Sequence, residues 1–407
     1  MAVADTRAGE TRSELGRDIA VVGTVSAAHF WSHFYQFTLP VLYPRIQQEY
    51  GIGFAEVGLV MTVFYACSGL AQTAAGFLVD RMGPPRVLAA GLGLLAASMA
   101  AIALVPAYWL MYPAAALAGL GNSVFHPADY SIMNRRVATS RLGRAFGVHN
   151  LSGMIGYAAA PIALVTLGGA LPWRSIVLLA AAGGAIVFLL LLLRQSFLAG
   201  GPAKAPTLSA TAVSPFEALR HPAVLVCFSF FFLMAVPTVG LAGFLATALG
   251  RLFETPITVV ATALTANLLG GACGVLVGGI LADRTAHHER IVAIAVAVAA
   301  AVFVIVGTAG FAATALTAAL VVAGICIGLS APPRDMLVRA AASASASGKI
   351  FGFAYSGFDL GSAAAPPVLG FLIDHRLEAW VLPVMAMALV LVILSALGLR
   401  FKSPSPA

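Results

Sequence analysis

His29 and His33 stand four residues apart inside a long apolar run, so on a helix they share one face, one turn apart. Histidine gains and loses charge near neutral pH, which suits proton coupling. The same pair could instead bond structurally to a neighbouring helix, or bind a metal. No Asp or Glu stands at ligand spacing on that run, so no metal is expected there. Tyr35 and Gln36 on the same run join the histidines as candidates for contact with substrate or protons. His126, Asp129, His149, Asn150, Tyr355 and Asp359 interrupt other apolar runs in the same way. An ionisable side chain at the centre of a membrane costs about 2.5–3.5 kcal/mol on insertion scales, which makes each such position a functional candidate. Asp359 is the acid deepest in its run. Its expected role is proton binding, with pairing to Arg135 or a histidine as the alternative.

The elements that must position these groups follow from composition. Apolar residues make up 60% of the 407 and charged residues only 10%, against about 25% charged in a soluble domain. A spanning helix needs about 20 mostly apolar residues. Twelve stretches qualify: 19–43, 54–79, 86–105, 108–133, 145–170, 174–194, 222–249, 256–282, 290–309, 312–338, 350–373 and 379–400. Runs this long and apolar must be helices, because only internally bonded elements survive in lipid. The expectation is an all-α polytopic membrane protein. The four cysteines lie within apolar runs without paired spacing and read as reduced. Residues 1–18 are polar and mixed in charge, so a cleaved signal peptide is not expected, nor is a lipidation site.

The chain also repeats itself. Gly76-Phe-Leu-Val-Asp80-Arg81 returns at 279–284 as Gly-Ile-Leu-Ala-Asp283-Arg284. Pro127-x-Asp129 returns as Pro333-x-Asp335, and Gly143-Arg144-x-Phe146-Gly147 as Gly348-Lys349-x-Phe351-Gly352. Offsets of 203 to 206 residues mean two copies of one six-helix unit. The expected division is a tail over 1–18, an N-terminal bundle over 19–194, a linker over 195–221, a C-terminal bundle over 222–400 and a tail over 401–407. Asp359 has Met154 as its counterpart, so the duplicated scaffold does not require that charge. Asp129 and Asp335 are counterparts, and their expected role is structural pairing with Arg135, Arg136, Arg334 or Arg339. His126-Pro127 and Pro332-Pro333 should bend their helices.

Placing the N-terminus in the cytoplasm puts 19 of the 23 basic residues on inner segments and leaves Arg45, Arg174, Arg251 and Arg376 outside. The positive-inside rule then predicts that both termini are cytoplasmic. It also accounts for the net charge of +7 without a nucleic-acid partner.

The segment Gly76-Phe-Leu-Val-Asp80-Arg81-Met-Gly83-Pro-Pro-Arg86 resembles the Gly-x-Leu-Ala-Asp-Arg-x-Gly-Arg-Lys signature of the major facilitator superfamily, with a degenerate copy at 279–284. The resemblance covers nearly the whole chain. It implies two pseudo-symmetric six-helix bundles, a conformational latch at Gly76, Asp80, Arg81, Arg86, Asp283 and Arg284, and secondary transport by alternating access. Helix 1, with His29-Phe-Trp-Ser-His33, and helix 4, with Phe125-His126-Pro127, are similar to the fosmidomycin-resistance-type branch. That branch has an aspartate where His33 stands and a glutamate where Ala128 stands. Gly147, Gly153, Gly156 and Pro161 partly resemble the glycine-rich motif of drug/proton antiporters; spacing for helix contacts explains them equally. No nucleotide, metal-ligand or nucleophile motif appears, so neither enzyme activity nor a cofactor is expected. The function expected is proton-coupled efflux of a small polar or drug-like molecule, by a monomer in the bacterial inner membrane. Proton symport of an organic acid, or a receptor that has kept the scaffold, are the alternatives.

Overall fold

The computed structural model describes residues 2–52, 54–168, 170–199, 220–341 and 347–400, and all regular structure among them is helical. The N-terminal half holds α1 (Ala2–Tyr50), α2 (Phe54–Met82), α3 (Pro84–Leu104), α4 (Met111–Asn122), α5 (Phe125–Arg136), α6 (Leu142–Gly168), α7 (Trp173–Leu193) and the short α8 (Gln195–Ala199). The C-terminal half holds α9 (Pro222–Gly243), α10 (Leu245–Phe253), α11 (Ile257–Arg284), α12 (His288–Thr308), α13 (Ala313–Ala341), α14 (Ser347–Asp374) and α15 (Val381–Arg400). Ten of these segments are long and apolar enough to cross a membrane. The two other expected spans are α1, diluted by its polar residues, and the α4–α5 pair, which breaks at Ser123–Val124. That break sits four residues before Pro127, whose missing N–H leaves the Ser123 carbonyl without its helical partner. The other expected bend does not interrupt its helix, since α13 continues through Pro332 and Pro333.

Most of the expected linker (200–219) and the tail 401–407 lie outside the described residues. The expected N-terminal tail is instead drawn into α1, which begins at Ala2. Its carboxylate Asp18 accepts from the Ala138 N–H (3.2 Å) and from Arg141 (2.8 and 2.7 Å), tying α1 to the turn between α5 and α6.

In the first bundle α1 packs on α6, α5 and α7, while α3 packs on α4 and α7. In the second, α9 packs on α14 and α15, α11 on α13, and α12 on both α13 and α15. The bundles meet along two seams, α2 with α14 and α6 with α11. Small residues make these approaches possible. A Cβ on Gly352 would stand 2.5 Å from the Gln72 carbonyl, and one on Gly143 would stand 2.8 Å from the Gly279 carbonyl. Large apolar side chains such as Leu70, Ile162, Ile186 and Leu193 are exposed on the perimeter, the arrangement a lipid solvent favours.

The duplication is visible in bonding as well as in sequence. Arg45 donates to the carbonyl of Gly168 (2.7 Å), and its counterpart Arg251 donates to that of Ile373 (2.8 Å), 205 residues after Gly168. These arginines define one end of the molecule. The other end carries most of the basic loops and is termed the basic end below.

Candidate functional site

Four polar layers follow one another from the basic end toward the middle of the bundle. The first is the latch segment. Asp80, near the end of α2, accepts from the backbone N–H groups of Gly348 (3.0 Å) and Lys349 (3.2 Å) at the start of α14. Asp283, at the end of α11, accepts from the N–H of Gly143 (2.6 Å) at the start of α6 and from Arg144. Each bundle therefore presents a carboxylate to the positive end of a helix in the other. Gly76 lies one turn from Asp80 and meets the Gly348 backbone directly. Gly83 has φ of 92°, a left-handed conformation that glycine adopts without strain. It turns the chain so that Pro84 and Pro85 can start α3, where a proline loses no helical bond. Arg81, Arg86 and Arg284 are exposed at this end.

The second layer surrounds Asp335 on α13. It receives Arg334 Nε (3.0 Å), the Tyr355 hydroxyl (2.7 Å), the Tyr130 hydroxyl (2.8 Å) and Asn150 Nδ2 (2.9 Å). Tyr130 and Asn150 come from the first bundle, so this fully buried carboxylate bonds the two halves together. The Arg334 guanidinium also lies over the Phe231 ring, 4.6 Å from its centroid. The structural role expected for Asp335 is thus met by its chain neighbour.

The third layer is a histidine cluster inside the first bundle. His29 and His149 lie with ring centroids 3.8 Å apart, His29 and His33 are 4.3 Å apart, and His126 is 5.5 Å from His29. Asp129 Oδ2 is 3.4 Å from His29 Nδ1 and 3.6 Å from His149 Nε2. Asp129 therefore departs from the expected pairing with an arginine. Arg135 lies six residues further along α5, about 9 Å closer to the basic end, and its side chain is exposed there. Gly153 gives the imidazoles room, since a Cβ on it would stand 2.8 Å from His29 Nε2. His126 faces the opposite bundle, stacked on Tyr355 at 4.1 Å.

The fourth layer is a hydrogen-bonded chain that ends at Asp359. The Tyr157 hydroxyl donates to Gln36 (2.7 Å), Gln36 to Asn122 (3.2 Å) and Asn122 to Ser68 (3.0 Å). Ser68 (3.3 Å) and Gln72 (3.4 Å) both donate to Asp359 Oδ2. Asp359 belongs to α14 and packs on Gly69 of α2, with its Cβ 3.0 Å from where a side chain on that glycine would begin. Its partners are neutral, neither Arg135 nor a histidine. Every hydrogen bond between the bundles among the described residues lies from this layer to the basic end.

Of the expected site residues, His29, His33, His126, Asp129 and His149 come together, Asn150 and Tyr355 meet at Asp335, and Gln36 joins the chain to Asp359. Tyr35 is not brought to them. Its hydroxyl donates to the Ala180 carbonyl (3.0 Å) on α7. Two residues from His33 is about 200° around a helix, so the spacing already places it on the far face. Ser68, Gln72, Asn122, Tyr130 and Tyr157 were not singled out by sequence, although each is a polar position in an apolar run. Gly147 and Gly156 of the glycine motif abut the backbones of α11 and α1, as small residues at helix contacts do.

The sequence profile of the Major Facilitator Superfamily matches residues 25–333 and 234–407. The chain is 24% identical over 287 residues to the fosmidomycin resistance protein of Escherichia coli, covering 69% of each. It is 26% identical over 141 residues to a probable L-galactonate transporter of the same organism, covering 35% of this chain and 31% of that protein. Among solved structures, a single-residue variant of the E. coli fucose:proton symporter, FucP, superposes with a TM-score of 0.75 at 17% identity, over 95% of this chain and 100% of that one. A FucP structure in the outward conformation superposes with a TM-score of 0.74 at 15% identity, over 96% and 100%.

Proposed function

The chain belongs to the major facilitator superfamily, and from that premise we propose that it exports a small polar or drug-like molecule in exchange for protons. Membership makes it a multi-pass transporter whose two bundles alternate access; coupling, direction and residue roles are our reading. Asp359 is the observation that carries it. This carboxylate is buried where the bundles meet, bonds only to neutral Ser68 and Gln72, and has no acidic counterpart in the first bundle. With no fixed cation beside it, its charge depends on whether it holds a proton. Its position on a moving seam lets that state bias the alternation.

The polar residues next to it, Gln36, Asn122 and Tyr157, with His33 and His126 half-buried alongside, form the surface for the exported molecule. The bonds at the basic end describe a state shut on that side. The segments that the positive-inside rule assigns to the inner face hold 19 of the 23 basic residues, so that side is the cytoplasm, both termini lie in it, and the membrane is the bacterial inner membrane. The monomer holds every group this mechanism needs. Resemblance to a fosmidomycin resistance protein supports export.

Proteoliposomes with an internal pH dye give the test. Substrate added on the side from which it is exported should drive counterflow of protons in the wild type, and Asp359→Asn should lose it. Protons moving with the substrate would establish symport instead. Cysteine labelling in the fourth layer that never changes sides would leave only a receptor.

A further inference from the structure

The third layer has a property that proton coupling does not use. Five metal-ligating side chains converge from three helices: His29 and His33 from α1, His126 and Asp129 from α5, and His149 from α6. His29, His126 and His149 can each offer a ring nitrogen with all three atoms within 4.8 Å of one another. The Asp129 carboxylate completes the set, 3.4 Å from His29 Nδ1 and 3.6 Å from His149 Nε2. A four-coordinate ion with bonds of about 2.0–2.1 Å keeps its ligand atoms roughly 3.3–3.4 Å apart. The two Asp129 separations are close to that spacing and longer than good hydrogen bonds, while the three ring nitrogens, within 4.8 Å of one another, would draw together around the ion.

The bonding inventory points the same way. Both oxygens of Asp129, both ring nitrogens of His149, and the Nδ1 atoms of His29 and His126 are buried without a hydrogen-bond partner. Asp129 and His149 are fully buried and His29 is 2% exposed. Native proteins rarely leave one such group unsatisfied, because each costs about 1–3 kcal/mol. Here several unsatisfied atoms face one another, as ligands around a cation do.

We propose that His29, His126, His149 and Asp129 bind one borderline divalent transition-metal ion of the zinc, cobalt or nickel class. Three imidazoles and one carboxylate suit such an ion, whereas magnesium and calcium favour all-oxygen shells. His126 and His33 are half-buried, and His126 lies against Tyr355 of the other bundle, so the ion enters from the interface between the bundles. All four ligands belong to one bundle. The site therefore stays intact as the bundles rock. The expectation of no metal rested on the lack of an acid at ligand spacing on helix 1 and of a metal-ligand motif along the chain; the acid comes from α5, and the ligands meet only in the fold.

The test uses the full chain, purified in detergent without a polyhistidine tag and stripped with a chelator. Cobalt(II) titrated into it should give the intense visible absorption of a four-coordinate ion, saturating at one equivalent, and zinc should abolish the band. His149→Gln and Asp129→Asn should each weaken cobalt binding at least tenfold. Asp359→Asn, outside the cage, should leave it unchanged. Should a buried-ligand variant lose its monodisperse profile, His126→Gln replaces it, since that ring is half-exposed at the interface. Absence of a stoichiometric cobalt band in the wild type overturns the proposal, as does a band that persists unaltered in folded His149→Gln and His126→Gln. Either result leaves the export reading standing, because that depends on Asp359.

Discussion

Substituting Gly76 by alanine tests whether the Asp80 contacts hold the basic end shut along the α2–α14 seam. A Cβ at that position would stand 2.5 Å from both the Gly348 carbonyl oxygen and Lys349 Cα. Both are backbone atoms of the opposite bundle and cannot rotate away. Carbon contacts are comfortable from about 3.5 Å, so α2 and α14 must separate by about 1 Å. The two bonds from Gly348 and Lys349 to Asp80, at 3.0 and 3.2 Å, would then stretch to roughly 4 Å, outside hydrogen-bonding range. Bonds to a charged group contribute about 1.5–3 kcal/mol each when buried. Asp80 is half-buried and water can partly replace its lost partners, so a net loss of about 1–2 kcal/mol is reasonable. That shifts the ratio of closed to open at the basic end by roughly 5- to 30-fold. Spin labels at Met82 and His221, exposed on opposite bundles beside the α2–α14 seam, would report this as a longer distance population on a cysteine-free background. Gly23→Ala is the control, since a Cβ there meets nothing within 4 Å. An unchanged distance distribution in folded Gly76→Ala would refute the reasoning.

Asp335→Asn should cost about 3–5 kcal/mol, because it leaves the largely buried Arg334 without its counter-charge; a fluorescence-monitored melt of the detergent-purified protein checks this. Tyr35→Phe should lower stability by about 1 kcal/mol through the lost bond to Ala180, yet leave transport rates as they are. Glu49, beyond the apolar stretch of α1, experiences some desolvation that would raise its pKa, but hydrogen bonds from Arg174 and Trp173 outweigh it and hold the carboxyl below its usual value. Its stabilisation is therefore present above the ordinary carboxylate range and fades as pH falls through the lowered folded-state value. Since the side chain is 39% exposed, the effect is small. Glu49→Gln should reduce the melting temperature slightly at pH 7, and the difference from wild type should vanish in strong acid.

The helices and their pairing were readable in the chain because lipid imposes a simple rule of length and polarity, and because duplication left matching residues at a steady offset. The break beside Pro127 followed from a missing N–H. The site was only half legible. Histidines 29, 126 and 149 stood out as polar interruptions, but nothing along the chain says that helices 1, 4 and 5 bring them to one point. The same limitation hid the partner of Asp129, which a count along its own helix would place among arginines. Tyr35 is different, since its angular position relative to His33 already pointed away. Ser68 and Gln72 passed as ordinary polar residues because their importance depends on Asp359, about 290 residues later and in the other bundle.

The reciprocal carboxylates have a mechanical consequence. One fastens the α2–α14 seam and the other the α6–α11 seam, on opposite sides of the pseudo-twofold axis. Fasteners on both sides of a pivot make a lid lift evenly. A protein deprived of one would still swing about the survivor, so its opening should turn lopsided, with a wedge-shaped gap along a single seam.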